Sequence, residues 1–336
     1  MKMLMFDYRE SEKKFFETRL FQDLEIDFIT SPLTSISKLT DDQLENTEIL
    51  SVFISSTLTE EVLKQFKNLR VIATRSTGIN HIDLEYCTKN NIAVCNVPHY
   101  GQKSVAQYTI AMILFIIRNL LPAYLDMQRN VLCHKNYEAH DLDKMTLGVI
   151  GTGSIGSTVA KMARFLGMNV IACSYIKDDE VATFAEYMSM KDLLSKADVI
   201  TLHLPSTPEN YHILGEEEFA KMKDGVYIVN TSRGELIDIL ILYENVISGK
   251  VKAAALDVLE CEYLAGNNGS IIDDIKGSNQ NCVANALITQ KLLAMDNVVI
   301  TPHIAYNTNE AIETLLATTF NNILDFYKGE RTNRVC

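Results

Sequence analysis

The sequence predicts an α/β fold with two doubly wound parallel sheets, and three observations carry that prediction. The first hundred residues alternate short apolar runs with amphipathic segments. The same alternation resumes after residue 174 and continues almost to the end. Between these regions, Leu147 to Ser174 reads as strand, glycine turn, helix and second strand. Such alternation places strands parallel, with helices on both faces of the sheet.

Length and composition set the bounds. A chain of 336 residues has room for two domains of ordinary size and a sizeable core. The formal net charge of -12, with no basic stripe, argues against nucleic acid and against an anionic membrane surface as partners. The apolar run Ile110 to Ile117 falls well short of the roughly 20 residues that span a bilayer. The N-terminus MKMLMFDY becomes charged too soon to be a secretion signal. Seven cysteines, at 87, 95, 133, 173, 261, 282 and 336, show neither CxxC nor zinc spacing, so no metal site is expected. An odd count without a signal fits reduced thiols and a cytoplasmic location.

In the first region, Met3 to Phe6, Ile26 to Ile29, Leu50 to Ile54, Val71 to Thr74 and Ile92 to Val97 read as strands. Segments 10–20 and 59–68 read as amphipathic helices, the second opening on the cap-like Thr59-Glu60-Glu61. Gln102 to Asn130 reads as one long helix, apolar nearly all round and therefore buried on more than one side. A helix so placed suits a link between domains and a contact with a second copy of the chain.

The central stretch turns through Gly151-Thr152-Gly153-Ser154-Ile155-Gly156. Gly151 permits the tight turn, Gly153 the approach of a pyrophosphate, and Gly156 close packing of helix on strand. The helix N-terminus then offers unpaired N–H groups and the positive dipole end to phosphates. The second strand of such a unit usually ends in an acid that accepts from the adenosine ribose. Here that end is Ser174, with Lys177 close by. Ser tolerates a 2′-phosphate that Asp would repel, and Lys177 is either a helper or a solvated surface charge.

Further strands follow at Asp198 to Leu204, Val226 to Val229, Ala253 to Val258 and Val298 to Thr301. Helices are expected over Ile237 to Val246 and Asn309 to Tyr327. A polar excursion from Tyr263 to about Ala284 interrupts this order, long enough to suggest a function or mobility. Ligands of open parallel sheets bind outside the carboxyl ends of the strands. Four such ends carry reactive or polar groups: Arg233, Asp257 with Glu262 beyond it, His303, and the turn Thr74-Arg75-Ser76-Thr77-Gly78. Together they suit reduction of a 2-keto acid. A His supplies the proton, and a carboxylate orients it and favours its charged form. An Arg pairs the substrate carboxylate at two points and polarises the keto oxygen. The backbone N–H groups of the turn take the other carboxylate oxygen.

Six ordered motifs now carry a resemblance. TRSTGINHID (74–83), NVPHYGQKSVAQ (96–107), the GTGSIG turn, VNTSRGELID (229–238), AALDVLECE (254–262) and ITPHIAYNT (300–308) resemble the D-isomer-specific 2-hydroxyacid dehydrogenases. Within them the chain is most similar to the D-lactate dehydrogenase branch, including the vancomycin-resistance type. The resemblance runs from about Leu50 to Asp325. It implies two Rossmann-like domains with the active site in the cleft between them. Residues 1–101 and 302–336 would form a substrate domain, and residues 102–301 a dinucleotide-binding domain. It implies Arg233 as substrate binder, His303 as acid/base and Glu262 as its partner. Thr77, Gly78 and Tyr100 would meet the substrate, with Tyr306 walling a small pocket. Beyond the glycine turn, cofactor contacts would come from Ser154, Ile155, Leu204, Pro205, Asn210, Thr231, Ser232 and Asp257. The cofactor would be NAD or NADP, and the chain a homodimer through helix 102–130.

Three departures matter. Ser174 stands where the family usually has an acid, and similar vancomycin-type enzymes with Ser there are associated with NADPH. Gln107 replaces a common Glu. The excursion after Glu262 is longer than usual, which bears on the fit of Glu262 itself. The leading expectation is NAD(P)H-dependent reduction of pyruvate to D-lactate. The alternative is a dehydrogenase for bulkier 2-keto acids such as 2-ketoisocaproate or phenylpyruvate. From a different class, a few relatives are nucleotide-sensing corepressors, and this chain shows no basic tail that would suit that role.

Overall fold

The structure is a computed structural model that describes residues 1–12, 15, 24–35, 37–131, 137–262 and 280–336. The chain divides into two compact units, Met1–Tyr100 with Asn307–Cys336, and Gly101–Tyr306.

The first unit holds five strands: β1 (Lys2–Met5), β2 (Glu25–Phe28), β3 (Thr47–Val52), β4 (Val71–Thr74) and β5 (Ala93–Cys95). All pair in parallel, in the order β2-β1-β3-β4-β5. The strands are nearly continuous apolar runs because both faces are covered. Leu4, Leu50, Val52, Ile72 and Val94 point to one face, against Val62, Leu63 and Cys87. Met3, Met5, Ile49, Val71 and Ala73 point to the other, against Leu316, Phe320 and Ile323 of the helix Asn309–Tyr327. Short helices fill the crossovers. Asp41–Asn46 starts on a capping box between Thr40 and Gln43, and Leu84–Lys89 on an Asp83 cap.

The second unit holds β6 (Thr146–Ile150), β7 (Asn169–Cys173), β8 (Glu186–Tyr187), β9 (Val199–Leu202), β10 (Val226–Asn230), β11 (Val251–Leu256) and β12 (Val298–Ile300). The order is β12-β11-β10-β9-β6-β7-β8, again all parallel. The strand order reverses between β6 and β9, which opens a crevice at their carboxyl ends. Helices Gln102–Ile117 and Ser154–Phe165 cover one face together, burying Ala106, Ile113 and Ile117 with Val159, Ala160 and Ala163. The opposite face packs on Leu193, Leu194, Phe219, Leu242, Val246 and Leu292.

Several expectations are revised. The helix expected over Gln102 to Asn130 is two helices, Gln102–Ile117 and Leu120–Gln128, bent by 65°. Asn119 makes the break by adopting left-handed backbone (φ 52), and its amide donates to the Tyr137 and Glu138 carbonyls. No single helix among the described residues is long and apolar enough to cross a membrane. The 59–68 segment is helical only over Glu60–Leu63. Of the 10–20 segment, Glu10–Glu12 is a 3-10 turn, and most of the remainder lies outside the described residues. The excursion's residues 263–279 also lie outside them, while its last part belongs to a helix, Gln280–Leu293. The cysteines are not all reduced thiols: Cys261 and Cys282 form a disulfide, with Cys87, Cys95, Cys173 and Cys336 free. The spacing of 21 residues between them carries no motif from which pairing could be read.

Candidate active site

The glycine turn sits at the reversal point, directly after β6. Gly151 has φ 89, and a Cβ there would lie 2.5 Å from the His203 carbonyl at the end of β9. At Gly156 a Cβ would lie 1.9 Å from the Gly151 carbonyl, so helix Ser154–Phe165 docks on the turn backbone to backbone. Gly153, by contrast, faces open space, with nothing within 4 Å of where a Cβ would stand. It is also the N-cap, and among the described residues no side chain caps the N–H groups of Ser154 and Ile155 behind it. A closed turn, an open approach and a free helix N-terminus together fit a pyrophosphate.

The rim of this crevice is polar and tied to itself. Ser174 accepts from the Thr152 N–H at 3.3 Å. The Tyr187 hydroxyl donates to Thr152 (2.8 Å), and the Lys177 ammonium lies 5.5 Å from the Tyr187 ring centroid. Opposite, Leu204 and Pro205 follow β9. Asn210 holds their loop by donating to the Pro205 carbonyl and accepting from the Thr207 N–H. Next to this loop the His203 ring has Nδ1 buried without a partner among the described residues, and burial pushes its pKa down to about 3.

Arg233 leaves β10 through a turn built by Asn230, which is fully buried. Asn230 accepts from the Ser232 N–H and hydroxyl and donates to the Arg233 carbonyl. The Thr231 hydroxyl meets that of Thr109 at 2.7 Å, tying the turn to helix Gln102–Ile117. The backbone is therefore fixed, while among the described residues the Arg233 guanidinium reaches only the neighbouring Ser232 carbonyl, at 2.6 Å.

His303 follows β12. Its Nδ1 lies 2.8 Å from Glu262 Oε2, and Glu262 Oε1 accepts from the Leu259 N–H at 3.1 Å. A carboxylate on Nδ1 holds the proton there and leaves Nε2 to exchange protons with a ligand. His303 itself adopts left-handed backbone (φ 53), an uncommon conformation for a residue with a side chain. Asp257 enforces it, accepting from the Thr301 hydroxyl (2.6 Å) and the Ile304 and Ala305 N–H groups (3.0 and 2.8 Å). Burial pushes the Asp257 carboxyl up, and these donors pull it back. Asp257, which the family resemblance implies as a cofactor contact, thus has a second role that its place at the end of an apolar strand could have signalled. Tyr306 is buried and stands edge-on to the His303 ring, 6.5 Å between centroids.

In the unit of residues 1–100 and 307–336, the 74–78 turn is equally ordered. Ser76 donates to the Gly78 carbonyl, and Thr77 is held at both ends by Val97 and Asn96. Arg75 is not a ligand group. It is buried, and its guanidinium donates to Ser51 and to the Phe6 and Asp7 carbonyls. His81 meets Thr74 at 3.1 Å, and burial pushes its pKa down to about 4. Tyr100 ends this part of the chain, half-buried.

Comparison with known proteins agrees with this chemistry. Residues 110–305 match the family model for the D-isomer specific 2-hydroxyacid dehydrogenase NAD binding domain. An aromatic 2-oxoacid reductase of Clostridium sporogenes is 35% identical over 292 residues, 85% of this chain and 86% of its own. A D-2-hydroxyacid dehydrogenase (NAD(+)) of Clostridioides difficile is 32% identical over 348 residues, covering 100% of both chains. The crystal structure of a D-lactate dehydrogenase from Aquifex aeolicus, complexed with NAD and lactic acid, superposes with a TM-score of 0.86 at 35% identity. It covers 99% of this chain and 98% of its own. With its glycine turn, its Glu262–His303 pair and these relatives, the chain belongs to the D-isomer-specific 2-hydroxyacid dehydrogenase family and is an NAD-binding oxidoreductase.

Proposed function

We propose that this enzyme reduces pyruvate to D-lactate, using NADH or NADPH. The observation that carries the reading is the Glu262–His303 pair at 2.8 Å, with buried Tyr306 edge-on to the imidazole. In this reading the Arg233 guanidinium turns from the Ser232 carbonyl to pair the substrate carboxylate and polarise the keto oxygen. With its pyrophosphate held on the glycine turn, a bound reduced dinucleotide would supply the hydride. His303 donates the Nε2 proton to the forming alkoxide, and Glu262 stabilises the imidazolium through Nδ1. Thr77, Gly78 and Tyr100 orient the substrate. Cofactor contacts come from Gly151, Gly153, Ser154, Ile155, Gly156, Leu204, Pro205, Asn210, Thr231, Ser232 and Asp257. Ser174 and Lys177 permit a 2′-phosphate, because Ser174 rather than an acid follows β7.

A second reading has one specific support, the likeness to the aromatic 2-oxoacid reductase of Clostridium sporogenes. In that case the preferred substrate is a bulkier 2-oxo acid. A panel of pyruvate, 2-oxoisocaproate and phenylpyruvate, each with NADH and NADPH, decides between them. The highest kcat/KM with pyruvate supports the first reading, and a bulkier acid ahead supports the second. Oxidation of neither cofactor with any 2-oxo acid overturns both. The proposal includes a cytoplasmic setting, where both cofactors are supplied. It also includes a homodimer through the 102–130 region, where Leu120, Tyr124 and Met127 are exposed.

A further inference from the structure

Glu262 reaches His303 from a short segment, Leu259 to Glu262, with unusual anchoring. Its start is pressed on the Arg233 turn: a Cβ at Gly234 would lie 2.0 Å from the Leu259 carbonyl carbon. Its third residue, Cys261, adopts left-handed backbone (φ 58) without being glycine, a conformation that persists only where neighbours enforce it. Two groups hold it there: the disulfide from Cys261 itself to Cys282, and the neighbouring Glu260. The Glu260 side chain is 13% exposed, and its two oxygens take three donors. The Tyr211 hydroxyl reaches Oε1 at 2.8 Å, while His212 Nε2 and Asn285 Nδ2 reach Oε2, both at 3.0 Å. Burial and the Glu260 carboxylate push the Tyr211 phenol up to about 12, so it remains a donor throughout the working range. The segment holding Tyr211 and His212 is itself bonded to the backbone just after Arg233, the His212 N–H donating to the Glu235 carbonyl at 2.8 Å.

We propose that Glu260 is a positioning residue for the acid/base pair. Its carboxylate is taken up by these three donors; beside the Cys261–Cys282 disulfide, it ties the Glu262 segment to the Arg233 turn and to helix Gln280–Leu293, and so keeps Glu262 on His303. The inference rests on the proposed reaction, and it concerns a carboxylate two residues before the one expected to act. A neutral amide in place of Glu260 offers one acceptor oxygen to three donors, and the segment then samples positions in which Glu262 misses Nδ1.

The test is Glu260→Gln in the full-length enzyme, assayed with pyruvate and NADH beside Glu262→Gln and the double variant. Displacing a catalytic group by about 1 Å costs on the order of a hundredfold. We therefore expect kcat to fall roughly tenfold to a hundredfold in Glu260→Gln, with KM for both substrates within about twofold of wild type. In the Glu262→Gln background the same substitution adds nothing, because the group it positions is already gone. Unchanged kcat in folded Glu260→Gln, or a full additional loss in the double variant, overturns the proposal. If Glu260→Gln does not fold, Tyr211→Phe replaces it; removing one of the three donors must lower kcat in the same direction and lose its effect without Glu262. If wild type oxidises neither cofactor with any 2-oxo acid, the functional reading has failed and positioning is read by NMR. The hydrogen-bonded Nδ1 proton of His303 is then lost in both single variants if Glu260 positions Glu262. Its persistence in Glu260→Gln overturns the inference.

Discussion

Residue by residue, the proposed reaction divides between a proton donor, its carboxylate and an anion binder, and each should fail differently when replaced. His303→Gln keeps a polar side chain but has no titratable proton, so kcat should fall by about 10²–10⁴. Cofactor binding, followed by quenching of intrinsic fluorescence or by NADH emission, should stay near wild type; retained turnover would remove His303 from the role. Arg233→Lys keeps the charge and loses the planar two-point grip, so KM for the 2-oxo acid should rise steeply while kcat drops. Ser174→Asp should move the ratio of kcat/KM towards NADH by roughly tenfold or more, since a carboxylate repels the 2′-phosphate; an unchanged ratio would place the choice elsewhere. The acid/base candidates were legible because each is a chemically distinctive group just beyond an apolar strand. Arg75 shows where such reading stops: it occupies an equivalent strand end, yet Ser51 and two carbonyls of the β1 exit absorb its donors. Glu260 was illegible for the opposite reason, since its partners Tyr211, His212 and Asn285 are distant in sequence and belong to no motif.

At the scale of elements, period and punctuation carried most of the information. The helix Asn309–Tyr327 was read to the residue from its apolar spacing, and its start is fixed by the Ala311 N–H donating to the Thr308 hydroxyl. The break at Asn119 was signalled by the polar pair Arg118-Asn119 and by Pro122 just beyond it, but the apolar runs on either side outweighed them, and the left-handed φ of Asn119 divides the two helices. The short strand β8 and helix Met190–Lys196 have too few residues to establish a period. The disulfide Cys261–Cys282 also escaped, since pairing follows from three-dimensional proximity. It closes a loop of about twenty residues and should stabilise the protein by about 3 kcal/mol. Cys282→Ser, or dithiothreitol added to wild type, should therefore lower the unfolding midpoint of the Gly101–Tyr306 unit by several degrees. Equal midpoints with and without reductant would show that the bond contributes no stability.

For the molecule as a whole, buried histidines set the acid limit. His81 and His203 are held neutral with pKa values pushed down to about 4 and about 3. In the unfolded chain each titrates near 6.5. Below that pH the unfolded chain takes up protons that the folded one does not, so stability falls as pH drops towards the folded values. Each histidine should contribute a slope of about 1.4 kcal/mol per pH unit inside that window. Glu12 and Asp257, raised by burial, act in the opposite sense from about pH 4 upwards and flatten the combined curve. Urea midpoints between pH 4 and 7 should show the loss, and His81→Gln should reduce its slope; an identical slope would exempt His81.

The covering of the first sheet by Leu316, Phe320 and Ile323 has a consequence for biosynthesis. All five strands of that sheet are made within the first 95 residues, yet the helix that seals one of its faces starts at Asn309. A nascent chain leaving the ribosome therefore carries Met3, Met5, Ile49 and Val71 uncovered while more than two hundred further residues are translated. That interval is where a chaperone has most to protect.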